Sequence, residues 1–174
     1  MSTMFIIAQC FGVLALLSYI VSTQQKHREG ILAWDGIYCT FLSIQYLLLG
    51  GLSGFVAGAL QVTRDVIFRK FKKKIPTWAT IVFCILVFIS GIIFFDGPVS
   101  LLPGIHTIIH TLYLSYGDMT IYRFIRLFSL TFMFAYNIFM GAYVGIIIVL
   151  VQGVFSVIGL ARLDGEKVKK VMHK

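Results

Sequence analysis

Apolar residues run through this chain in stretches of about twenty, the length an α-helix needs to cross the hydrocarbon core of a bilayer. Seven stretches can be marked, at about 4–22, 31–50, 52–68, 78–95, 99–116, 119–139 and 143–161. The basic residues test that number. Lys26 and Arg28 follow the first stretch, and Arg64, Arg69, Lys70, Lys72, Lys73 and Lys74 close the third. Arg123 and Arg126 follow the fifth, and Arg162, Lys167, Lys169, Lys170 and Lys174 follow the seventh. Seven crossings therefore place all 15 Lys and Arg on one side. By the positive-inside tendency that side is the cytoplasm, with the N-terminus outside and the C-terminus inside. Six or eight crossings would scatter the charges.

Composition excludes a soluble domain. Apolar residues make up 59% and charged residues 13% of the chain, against about 25% charged in soluble domains. The formal net charge of +8 is explained by orientation in a membrane rather than by nucleic acid, because the basic residues stand between apolar runs. Cys10, Cys39 and Cys84 lie inside apolar runs at spacings that match no metal or redox motif, and they read as buried free thiols. The first apolar run has no basic residue before it and exceeds a signal-peptide core, so it reads as a retained first helix.

An odd number of spans permits a particular duplication. Two triplets of helices can run parallel when one helix joins them. The expected organisation is a first triple-helix bundle over residues 1–75, a linker helix over 76–97, a second bundle over 98–162 and a basic cytoplasmic tail over 163–174. Tyr46 and Gly51 precede Tyr136 and Gly141 by 90 residues, while Gly54 and Gln61 precede Gly145 and Gln152 by 91.

A set of short motifs in order carries a family resemblance. They are Gln9-Cys10-Phe11-Gly12-Val13 in the first span and Gln45-Tyr46-Leu47-Leu48-Leu49-Gly50 at the end of the second. Gln61 with Arg64, Leu101-Leu102-Pro103, Asn137 with Gly141, and Arg162 follow. Together they cover nearly the whole chain, which resembles the YgjV-type bacterial inner-membrane proteins, related to the SWEET, SemiSWEET and PQ-loop carriers. The resemblance implies an all-α membrane protein of seven transmembrane helices in two parallel three-helix bundles, located in the bacterial inner membrane. It also implies transport of a small polar solute, a sugar or similar, by alternating access. The proline-glutamine pair of the PQ-loop carriers is absent, and Thr23-Gln24 stands in roughly its place.

Polar groups inside a bilayer need partners. Gln61 and Gln152 fall near the middle of the third and seventh spans and read either as a shared solute site or as helix–helix hydrogen bonding. Ser156 lies one turn beyond Gln152 on the same face. Asn137 sits at the outer end of span six, as a solute contact or a helix cap. His106 and His110, four apart, share a face of span five and could reach the same space. That spacing can begin a zinc site, but no third ligand accompanies it, so no metal and no cofactor is expected. Pro103 is a hinge candidate or a first-turn proline. Asp35, Arg64 and Asp65, near the inner ends of spans two and three, are a candidate inner gate or ion pair. Arg69, Lys70, Lys72, Lys73, Lys74 and the tail are expected to meet anionic lipid. No nucleophile–base pair suggests an enzyme. A carrier is the first reading, and a non-transporting scaffold or partner subunit the alternative. Two triplets in one chain would suffice as a monomer, and a homodimer is the other expectation.

Overall fold

The computed structural model describes residues 3–24, 28–71, 76–116 and 119–172, with the side chains of 24, 28–29, 31–32, 113–116, 119–124, 159–160 and 162–172 excepted. The helices are α1 (Thr3–Gln24), α2 (Arg28–Leu48), α3 (Leu52–Arg69), α4 (Thr77–Ile93), α5 (Leu102–Tyr116), α6 (Met119–Met140) and α7 (Tyr143–Met172). A 3₁₀ turn, Pro98–Leu101, leads into α5, and no strand occurs among the described residues. Each helix falls on one expected stretch. Two helices run well past their apolar stretches for one reason, that the end of an apolar run is not the end of a helix. Helix α2 begins at Arg28, before its apolar run. Helix α7 continues to Met172, through the segment expected as a tail. Lys72, Lys73 and Lys74, expected at the lipid surface, lie outside the described residues.

Apolar side chains face outward. Helix α4 exposes Trp78, Ile81, Ile85, Phe88 and Ile92, and α1 exposes Met4, Ile6, Val13 and Leu17. The interior instead holds Gln45, Arg64, Asp65, Thr107, Thr111, Asn137 and Gln152. Such a surface is unstable against water and at home in lipid. Among the described residues, Thr3–Thr23 is the one helix long and apolar enough by itself to cross a membrane; Thr77–Ile93, Ile125–Met140 and Tyr143–Ile158 are apolar but shorter.

Helix α2 packs between α1 and α3, and α6 between α5 and α7. Contacts of α3 with α5 and of α1 with α7 close the ring, while α4 lies against α3 and α5. A cluster built on Tyr19, Tyr38, Tyr46, Met133, Tyr136 and Ile148 joins the first three helices to the last three. Phe68, Ala79 and Phe83 form a second cluster holding α4 to α3.

The two tight joints are alike. Gly50, with φ 82°, ends α2, and Gly141, with φ 65°, ends α6. The left-handed conformation suits glycine, which has no Cβ to collide with the carbonyl. Gly50 N donates to Leu47 O and Gly51 N to Tyr46 O, while Gly141 N donates to Ile138 O and Ala142 N to Asn137 O. Leu52 N to Gly50 O and Phe55 N to Gly51 O recur as Tyr143 N to Gly141 O and Ile146 N to Ala142 O. All four pairs are offset by 91 residues. The separation of 90 read from Tyr46 and Gly51 is therefore corrected: Gly50 answers to Gly141, and Tyr46 to Asn137. Residue identity misled here because Gly50 and Gly51 are adjacent, and only backbone geometry distinguishes the capping glycine.

Candidate functional site

A polar seam runs between α2, α3 and α5. Arg64 is 1% exposed. Its Nε and Nη2 both donate to Asp65 Oδ1, at 2.9 and 2.8 Å. Its Nη1 reaches α5, donating to Thr111 Oγ1 at 3.0 Å and to His110 Nδ1 at 3.0 Å. The guanidinium can only donate, so His110 Nδ1 accepts and carries no proton in this arrangement. Asp65 Oδ2 is buried with no partner among the described residues. One carboxylate oxygen of Asp35, Cys39 Sγ and one carboxylate oxygen of Asp65 lie within 4.8 Å of one another. The expected inner group of Asp35, Arg64 and Asp65 is thus assembled in one place.

One step toward the middle of the bundle, Gln61 spans two helices. Its Nε2 donates to Thr107 Oγ1 on α5 at 2.9 Å, and its Oε1 accepts from Cys39 Sγ at 3.3 Å. Gln61 lines a cavity of ≈ 20 Å³ with Ser43, Tyr46, Gly58, Thr107 and Met133, and with Cys39 at its wall. That volume has room for about one water.

Gln152 is placed elsewhere. It is not among the residues lining that cavity; its Nε2 donates to Tyr38 OH on α2 at 3.1 Å. Ser156 donates to Gln152 O within its own helix, at 2.8 Å. The two glutamines are matched by the 91-residue offset but reach different partners.

The end of the bundle that carries the two tight joints holds a second network. Tyr46 OH donates to Asn137 Oδ1 at 2.8 Å, and Gly54 N donates to Tyr136 OH at 3.1 Å. The two tyrosine rings meet edge-on, with centroids 5.2 Å apart. Asn137 Nδ2 is buried without a partner among the described residues. Gln9 Nε2 donates to Gly141 O at 3.1 Å, while its Oε1 accepts from Val144 N at 3.2 Å and Gln45 Nε2 at 3.3 Å. Gln9 thereby closes the α6–α7 joint from α1.

His106 and His110 stack with ring centroids 6.0 Å apart. His106 Nδ1 donates to Ser129 O on α6 at 3.1 Å, so the two rings face opposite neighbours, α6 and α3. Pro103 is the second residue of α5, where its missing N–H leaves no helical hydrogen bond unmade. Arg126 Nη2 donates to Tyr19 OH at 3.3 Å and sits over the Tyr19 ring.

Thr107, Thr111 and Tyr38 were not anticipated as partners of these groups. A signal existed for the threonines. Pro103, Thr107 and Thr111 repeat at every fourth residue, and the hydroxyls of the latter two bond back to Pro103 O and Thr107 O. That spacing marks one polar face of α5. Cys39, read as a thiol that merely packs, is also a donor to Gln61.

No curated protein and no solved structure matches the chain. A family model does, over residues 6–167, and its description is a bacterial inner membrane protein, Imp-YgjV. Outward apolar faces and a polar, fully enclosed interior agree with that description, and the chain belongs to the Imp-YgjV family of bacterial inner membrane proteins.

Proposed function

We propose that the protein carries a small polar solute across the inner membrane by alternating access between two parallel three-helix halves, α1–α3 and α5–α7, with α4 as the linker. The observation that carries this reading is the Gln61 cavity, a small, mainly apolar space where α2, α3, α5 and α6 meet and where Ser43, Gln61 and Thr107 offer polar groups. The repeated joints at the 91-residue offset and the paired α3–α5 and α1–α7 contacts support a two-fold relation between the halves. Carriers built from parallel repeats hold their solute at such an interface. At ≈ 20 Å³ the cavity is too small for a sugar, so this conformation corresponds to a closed carrier. Opening requires the Gln61–Thr107 bond between α3 and α5 to break. Exposed Arg69 and Lys70 then lie at the cytoplasmic surface, contributing about 1 kcal/mol each with anionic lipid.

The test is uptake of labelled sugars, amino acids and nucleosides by vesicles containing the purified protein. Gln61→Leu is expected to abolish uptake while the protein still melts cooperatively. The tight centre favours a second reading, a non-transporting scaffold. It is supported if the folded wild-type protein moves none of these solutes. The proposed topology is tested separately with cysteine introduced at Ser2 and at Met172. An impermeant maleimide is expected to label the first from outside and the second only after the membrane is opened. Labelling of both from one side of intact cells refutes seven crossings.

A further inference from the structure

We propose that Asp35, Cys39 and Asp65 form a binding site for a divalent transition cation of the Zn²⁺ or Co²⁺ class. The three donor atoms come from two turns of α2 and the facing turn of α3 and lie within 4.8 Å of one another. Ligands around such a cation sit at about 2.0–2.3 Å from it, hence about 3–4 Å apart. A closure of about 1–2 Å completes the set. Asp65 supplies the independent sign of a missing partner. It is 1% exposed, Nε and Nη2 of Arg64 converge on its Oδ1, and Oδ2 has no partner among the described residues. A buried carboxylate oxygen in that state is costly, and a cation removes the cost. A proton shared between the two acids does not satisfy Oδ2, which has no hydrogen-bond partner among the described residues.

The donor chemistry narrows the class. Two carboxylates alone would suit Mg²⁺ or Ca²⁺, whereas a thiol among them favours a borderline-soft metal. Binding releases the thiol proton to solvent, since the thiolate is the ligand. Three anionic ligands with the Arg64 guanidinium then carry a net charge of −2, which a divalent ion neutralises. Arg64 fixes Asp65 as an outer-shell partner, and Gln61 Oε1 holds the Cys39 sulfur by accepting a hydrogen bond from its S–H in the metal-free form. The one-water cavity shared by Cys39 and Gln61 offers a place for a fourth, solvent ligand. None of this depends on solute transport.

Co²⁺ titration of the tag-free protein in lipid nanodiscs tests the site. The expected result is saturable one-to-one binding with a thiolate-to-cobalt charge-transfer band, displaced by Zn²⁺. Cys39→Ser, which preserves side-chain size, should abolish the band. Asp35→Asn and Asp65→Asn should weaken affinity at least about tenfold. Cys10→Ser and Cys84→Ser should change nothing, and thermal melting confirms that each variant is folded. Absence of saturable Co²⁺ binding by the wild-type protein, or a charge-transfer band that survives Cys39→Ser, overturns the proposal.

Discussion

Replacing Arg64 by Met will destabilise the folded protein by about 3–5 kcal/mol, because it strands the Asp65 carboxylate in an enclosed interior. Both side chains are 1% exposed, and the pair is closed at 2.8 Å. The same change also leaves His110 and Thr111 without a donor that ties α3 to α5. The double variant Arg64→Met/Asp65→Leu should recover most of the loss, since a buried pair exchanged for apolar groups of similar volume is often neutral. Arg64→Lys should fall between, because an ammonium lacks the fork that reaches Asp65 and α5 together. Chemical denaturation in micelles reads all three. A single variant as stable as the wild type would show that the ion pair does not hold the seam.

Gly54→Val is expected to cost about 2–3 kcal/mol by overpacking. A Cβ at Gly54 would lie 2.6 Å from Tyr136 OH, 2.8 Å from Tyr136 Cε1 and 2.9 Å from Tyr46 Cδ2. It would also push the tyrosine away from the Gly54 N–H that it accepts from. Neither ring can swing aside, since Tyr46 and Tyr136 are 2% and 1% exposed. Gly153→Val is the matched control, because a Cβ there meets nothing within 4 Å. Denaturation midpoints that shift equally for the two variants would contradict the close packing assigned to Gly54.

The helices were legible in the sequence because their signals are local. Apolar length marks a helix, and Gly-Gly or a lone Gly marks a tight joint. Gln61, Arg64 and Asn137 were legible as residues that must find partners, since a bilayer offers none. Which partner each finds was not. Gln61 and Gln152 stand 91 residues apart, the offset of the two joints, yet one reaches Thr107 and the other Tyr38, a choice made by the packing of α5 and α2 rather than by anything near either glutamine. The role of Cys39 was hidden for the same reason, as a thiol among apolar neighbours looks inert until a carboxylate from another helix stands beside it. The helical course of residues 163–172 was missed because charge was taken as the end of the helix and not only of the span.

The contact between Tyr46 and Asn137 has a consequence for how such a chain can arise. The 91-residue offset makes these two residues counterparts, and they touch. Under the proposed two-fold relation, counterparts that touch lie on the axis between the halves. In an assembly of two identical three-helix chains, the axis sets each residue against its own copy, tyrosine on tyrosine or asparagine on asparagine. Joining the halves into one polypeptide lifts that constraint. One half can then keep a phenol that gives a hydrogen bond and the other an amide that takes it. Under that relation the halves are complementary parts, so neither, doubled, would reproduce the contact that the pair makes.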